Sequence, residues 1–132
     1  MILKLKHIFF LVIVTIFFHF IFNFYNLYSV AKFDLILHVL AGIVYGLIAI
    51  FYFQKKYNKR DILVKIILFS LLGSILWELI EYGFLIFFTK YALLLDIYSS
   101  SLLEALIDIL AGLVGGIILS LVFWKSKQLP TP

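Results

Sequence analysis

The chain has no cysteine, and only 2 of its 132 residues are proline. The absence of cysteine excludes a disulfide framework, a thiolate metal site and a cysteine nucleophile. Charged residues make up only 14% of the chain, whereas about a quarter is usual in soluble domains. Every glycine lies inside an apolar stretch, so no glycine-rich loop is available to cradle a phosphate. Several common kinds of catalytic and binding site are therefore excluded.

Apolar side chains are abundant instead: 65% of the residues are hydrophobic, and the mean hydropathy is +1.18. Four apolar runs, at about residues 8–24, 35–53, 62–88 and 102–124, are long enough to cross the roughly 30 Å hydrocarbon layer as helices. The short loops between them leave no room for a second domain. We predict an all-α fold in which residues 1–132 form one four-transmembrane-helix domain.

The positions of lysine and arginine predict the orientation in the membrane. Only Lys32 and Lys90 lie in the loops on one side. Eight basic residues lie on the opposite side: Lys4, Lys6, Lys55, Lys56, Lys59, Arg60, Lys125 and Lys127. The positive-inside rule therefore predicts a multi-pass protein of the plasma or inner membrane with both termini cytoplasmic. It also accounts for the net charge of +4 without a nucleic-acid partner.

The first apolar run has an alternative interpretation as a signal peptide. Lys4 and Lys6 precede it, and Ser29-Val30-Ala31 resembles a cleavage site after residue 31. The run exceeds the usual apolar core of about 7 to 15 residues, and it carries His19 and Asn23 near its outer end. We expect it to be retained as a span.

Small residues four positions apart occur in the second and fourth runs. They are Gly42 and Gly46 in the former, and Gly112 and Gly116 in the latter. This spacing allows two membrane helices to approach closely, although glycine is also simply frequent in membrane helices. We predict close helix neighbours for both runs.

The acidic residues are strongly segregated along the predicted bundle. Asp61 alone maps to the cytoplasmic side. The other six map to the outer half or the outer loop: Asp34, Glu78, Glu81, Asp96, Glu104 and Asp108. Spacings of three or four residues place Glu78 with Glu81, Glu104 with Asp108, and Asp34 with His38 on single helix faces. A charge exposed to the bilayer centre costs about 2.5–3.5 kcal/mol, so we expect these faces to turn inward and converge.

No lysine or arginine lies in the outer half of any predicted span. The carboxyl groups would then be protonated, line a water-filled cavity, or bind a divalent metal ion together with histidine. The metal candidates are His38, Glu78, Glu81, Asp108, Asp34 and Glu104, of which the first four are also the catalytic candidates. His19, Asn23 and Asp96 are weaker members of the set, and Ser101 is predicted to cap the fourth helix.

Three short elements carry a resemblance to known membrane proteins. They are Asp34-Leu35-Ile36-Leu37-His38 with Gly42, then Trp77-Glu78-Leu79-Ile80-Glu81-Tyr82, then Asp108 with Ala111-Gly112 and Gly115-Gly116. Over about residues 33–118 the chain resembles the YjdF-like inner-membrane proteins and, more distantly, the VanZ-like group. VanZ-like proteins carry Asn and Gln where this chain has Gly112 and Glu81, which favours the YjdF-like assignment. The resemblance implies functional roles for five residues, namely Asp34, His38, Glu78, Glu81 and Asp108. It does not specify an activity, because the biochemical role of the family is poorly defined.

Three functions fit this pattern. In the first, an outward-facing acidic and histidine pocket binds a divalent metal or a polar head group and acts on an envelope or lipid-linked substrate. As an enzyme, it would hold the metal through His38, Glu78, Glu81 and Asp108, with Glu104 as general base. In the second, a homo-oligomer forms a small proton- or cation-coupled transporter. In the third, the protein is an accessory subunit whose polar residues only fix helix pairing. All three place the protein in contact with the lipid bilayer.

Overall fold

The protein is built from helices. The computed structural model describes residues 5–25, 33–95 and 101–125, and these ranges contain no strand. The helices are α1 (Leu5–Phe24), α2 (Phe33–Phe53), α3 (Lys59–Phe87), α4 (Thr89–Leu95) and α5 (Leu102–Lys125). The predicted all-α fold class is confirmed.

Three of these helices are long and apolar enough to cross a membrane. They are α2, α3 and α5, with 21, 29 and 24 residues. The apolar stretch of α1 in the described part of the chain, Leu5–Ile21, is shorter. A fourth crossing by α1 and the orientation of the termini therefore stay predictions.

The ends of α3 differ from the predicted span. Asn58 caps its first turn, because its side-chain oxygen accepts the Asp61 backbone N–H at 2.9 Å and its amide donates to the Asp61 carboxylate at 3.0 Å. The helix therefore starts three residues earlier than the apolar run. Beyond α3, the predicted loop after Phe88 begins instead with the short helix α4, in which Ala92 is fully buried.

The helices α2, α3 and α5 all pack against one another, while α1 packs chiefly on α2 and α4 on α3. At the centre, the Ser70 hydroxyl donates to the Gly42 carbonyl at 2.7 Å, and the Ser74 hydroxyl donates to the Ser70 carbonyl at 2.9 Å. A methyl group on Gly42 would overlap the Gly112 backbone. The close neighbours predicted for the second and fourth apolar runs are confirmed.

The two ends of this bundle differ in chemistry. At one end, a buried apolar cluster joins Ile8, Val44, Ile50, Ile62 and Ile66. Beyond it, the Lys59 ammonium donates to the Trp124 carbonyl at 2.6 Å. At the other end, called here the carboxylate end, α2 and α5 begin and α3 finishes. That antiparallel arrangement brings the acidic residues of three helices to one level.

Candidate functional site

His38 lies at the centre of the carboxylate end, with only 5% of its surface exposed. Its Nε2 atom is 3.5 Å from Asp34 Oδ1 and 3.9 Å from Asp108 Oδ2. Its Nδ1 atom is 3.8 Å from Glu78 Oε1. One imidazole therefore faces carboxylates from α2, α3 and α5. The four-residue spacing on α2 explains the Asp34 contact, because it places both side chains on one face.

Asp34, His38 and Asp108 form a group that could hold a metal ion. One ligand atom from each residue lies within 4.8 Å of the other two. Bonds of about 2.0–2.2 Å from nitrogen or oxygen to one ion place neighbouring ligand atoms roughly 3–4 Å apart, so small side-chain movements would close the group around an ion. His38 and Asp108 are buried, whereas the Asp34 side chain is 43% exposed. The group therefore has an accessible side.

Glu78 occupies a different position from the metal-ligand group. It is buried and faces Nδ1, whereas both aspartates face Nε2. The two ring nitrogens point to different sides of the imidazole, so an ion on Nε2 lies away from Glu78. A carboxylate behind the second nitrogen of a metal-bound histidine commonly fixes the ring orientation and tautomer. Glu78 lies on that side of the His38 ring, with its Oε1 atom 3.8 Å from Nδ1.

Glu81 and Glu104 also lie outside the three-residue group. Glu81 is buried, and one of its carboxylate oxygens accepts a hydrogen bond from the Trp77 indole N–H. Glu104 is partly buried one turn before Asp108 on α5. The Ser101 hydroxyl accepts the Glu104 backbone N–H at 3.2 Å, which confirms the predicted cap. Asp96 and the side chain of Asn23 lie outside the described residues.

A cavity of about 340 Å³ adjoins the site between α1, α2 and α3. Its polar lining residues include Asp34, His38 and Glu81, together with His19 from α1. His19, a weak candidate from sequence, is thus placed beside the stronger ones. Trp77 also lines the cavity. Sequence reasoning missed Trp77, although its four-residue spacing from Glu81 places both on one helix face.

A family profile described as "Predicted membrane protein (DUF2238)" matches residues 2–128. The chain belongs to the DUF2238 family. Neither the curated proteins nor the solved structures include a match to it. The resemblance to a membrane protein family is therefore confirmed at the level of DUF2238, while the YjdF-like and VanZ-like names stay predictions.

Membership in DUF2238 agrees with the surface of the helices. Large apolar side chains point outward along their length, among them Phe9 on α1, Leu79 on α3 and Leu121 on α5. Such a surface is stable in hydrocarbon and unstable in water. This DUF2238 protein is a membrane protein in contact with lipid, and it carries its buried ionisable groups on the inward side of the helices.

Proposed function

We propose that this DUF2238 protein binds a divalent metal ion through Asp34, His38 and Asp108 and uses it to act on a lipid-linked or envelope substrate. The observation that carries the proposal is the position of both aspartates around a single nitrogen, Nε2 of the buried His38. Three protein ligands leave further coordination positions for water or a substrate oxygen, as in catalytic metal sites.

The donor set suits a borderline or hard divalent ion. Imidazole and carboxylate ligands are typical of zinc, iron and manganese, and a mixed set of this kind does not require thiolates. When bound, the ion would lower the proton affinity of a coordinated water or polarise a carbonyl or phosphoryl oxygen. Glu78 would hold the His38 ring in place. Glu81, which lines the cavity and is oriented by Trp77, is the general-base candidate that the geometry favours over Glu104.

The transporter alternative requires ionisable groups on a path through the bundle. Below the carboxylate end, the buried apolar cluster consists of Ile8, Val44, Ile50, Ile62 and Ile66. A proton relay in a membrane protein usually proceeds through a chain of carboxylates and histidines. The apolar cluster therefore favours a site confined to one end of the bundle.

The purely structural alternative is weakened by how the helices pack. The close approach of α2, α3 and α5 depends on Gly42, Gly112, Ser70 and Ser74, all deeper in the bundle than the carboxylate end. The Ser70 hydrogen bond to Gly42 joins two helices, and interhelical bonds of this kind contribute about 0.6 kcal/mol on average. These glycine and serine contacts already hold the helices together. Helix pairing therefore does not account for the four buried ionisable residues at the carboxylate end.

Metal content tests the proposal. We would incubate detergent-purified protein with zinc or manganese, remove the excess, and measure bound metal by mass spectrometry for wild type, Asp34→Asn and Asp108→Asn. Asp61→Asn is the matched control, because it removes an acidic side chain at the other end of the bundle. We expect about one ion per chain in wild type and control, and strong loss in both site variants.

Other outcomes would reject the proposal. Equal metal in all four proteins would place the ion elsewhere. Absence of bound metal in the wild-type protein would show that the site does not function through a metal ion. In that case, proton uptake in vesicles containing the protein would favour the transporter, and its absence would favour an accessory role.

A further inference from the structure

We propose that the cavity between α1, α2 and α3 holds a single aliphatic chain of an amphiphile, whose anionic head group binds the metal ion at Asp34, His38 and Asp108. This inference rests on the proposed function and names its substrate class. The ligand is a one-chain lipid or one chain of a larger lipid, with a carboxylate or phosphate oxygen at the polar end.

The cavity has one polar end and a long apolar remainder. On α2, its lining proceeds from Asp34 and His38 through Ala41 to Tyr45, a length of about 16 Å at 1.5 Å per residue. On the antiparallel α1, His19 lies near the polar end and Val12 lies at the far end. An amphiphile with its head group beside His38 would therefore place its chain along apolar walls.

The α1 helix lines this cavity with one continuous face. Its lining residues are Val12, Thr15, Ile16, His19 and Phe20, a spacing of three and four residues that defines one side of a helix. That face looks into the cavity, and α1 packs chiefly on α2. The Thr15 hydroxyl already donates to the Leu11 carbonyl at 2.9 Å, so it does not need a polar ligand.

The size of the cavity indicates how many chains it can hold, and the charge of its lining indicates how a head group would bind. A volume of about 340 Å³ lies at the lower end of the roughly 300–1,000 Å³ of small-molecule pockets, which suits one chain better than two. No lysine or arginine is among its described lining residues. An anionic head group would be repelled by Asp34 and Glu81 without a metal, whereas divalent ions prefer oxygen donors and would bind it. Binding should therefore depend on the metal.

Tryptophan fluorescence provides the test, because bromine atoms quench an indole on contact. The chain has two tryptophans, Trp77 on the cavity wall and Trp124 near the opposite end of the bundle. In a Trp124→Phe background, metal-loaded protein in detergent would be titrated with a fatty acid brominated at mid-chain. We expect saturable quenching of Trp77, and its loss after chelation of the metal. A brominated lysophosphatidic acid would compare phosphate with carboxylate as the head group.

Variants at the far end of the cavity distinguish a chain site from general lipid contact. Val12→Phe should weaken binding by about fivefold or more, because overpacking costs at least about 1 kcal/mol. Leu121→Phe introduces the same phenylalanine side chain on an exposed face of α5 and should have no effect. Val12→Ala should shift preference toward longer chains, which keeps the test valid should Val12→Phe fail to fold.

The outcomes separate this inference from the metal proposal. Quenching that rises without saturation, and equally in Val12→Phe and Leu121→Phe, would overturn the chain site even where the metal is bound. Saturable quenching that survives chelation, or that is stronger with a brominated long-chain amine, would overturn the anionic head group. Metal content measured on the same samples shows independently whether the metal proposal stands.

Discussion

At the residue scale, the two nitrogens of His38 face different partners. Asp34 and Asp108 lie near Nε2, and Glu78 lies near Nδ1. A neutral imidazole has one donor and one acceptor nitrogen. A carboxylate behind Nδ1 favours the proton on that atom, which leaves Nε2 free to bind a metal. Loss of a carboxylate near Nε2 should therefore affect metal binding differently from loss of the carboxylate near Nδ1.

Replacement of Glu78 should weaken metal binding without removing it. We expect Glu78→Ala to lower metal affinity by about 10–100-fold, because loss of a carboxylate behind a metal-bound histidine has effects of this size. Glu78→Gln should have a smaller effect, since its side-chain oxygen still accepts a hydrogen bond. The measurement is competition for zinc against a fluorescent chelator.

The matched control for Glu78 is Glu81→Gln, one turn further along the same helix. It should leave metal affinity within a few-fold of wild type, because Glu81 lies outside the group around Nε2. Similar large losses in both variants would show that the division of roles is wrong and that both glutamates act on the metal.

At the element scale, the contact between α2 and α5 depends on glycine. The backbone of Gly42 approaches that of Gly112 so closely that a β-carbon would overlap its carbonyl group. Backbone atoms cannot rotate away as a flexible side chain can. Helices in membranes often use such small residues for close packing. Here the approach places α5, and with it Asp108, beside His38.

Gly42→Ala should therefore destabilise the bundle by about 1–3 kcal/mol, the usual cost of overpacking a close contact. Gly83→Ala is the control, because nothing lies within 4 Å of its added β-carbon. It should be neutral or stabilising by up to about 1 kcal/mol, since alanine favours helix more than glycine does. Unfolding in detergent, followed by circular dichroism, measures both.

A second readout links this helix contact to the site. Gly42→Ala should also lower metal content, because separation of α2 from α5 moves Asp108 away from His38. Unchanged stability together with unchanged metal content would show that the close approach is not needed to assemble the site.

At the scale of the whole molecule, most basic and most acidic side chains of the described residues lie at opposite ends of the bundle. Lys59 contacts Trp124 at one end, and Asp108 lies beside His38 at the other. In membrane proteins the loops rich in lysine and arginine lie on the cytoplasmic side. This rule predicts that the carboxylate end faces outward, on the side of the proposed envelope or lipid-linked substrate.

The absence of cysteine makes this orientation simple to measure. We expect Lys90→Cys to react with a membrane-impermeant maleimide in intact cells, and Lys55→Cys to react only after permeabilisation. Labelling of both variants in permeabilised cells controls for reactivity. The reverse pattern would place Asp34, His38 and Asp108 on the cytoplasmic side and exclude an external substrate.

The amino-acid sequence alone determined the class of this protein and the region of its site. Helix formation, span length and the pairing of residues three or four apart are local properties, so the apolar runs and the pair Asp34 and His38 could be read directly. The segregation of acidic residues likewise follows from the order of the runs. By contrast, α4 was missed because seven residues after Phe88 are too few to show a period.

Only the tertiary structure decided how the polar residues are arranged around His38. The rotation and spacing of α2, α3 and α5 place Asp34 and Asp108 at Nε2 and Glu78 at Nδ1. The cavity depends in the same way on where α1 lies against α2 and α3. These features depend on contacts between residues far apart in the chain, and a local pattern contains no information about the angle at which two helices meet.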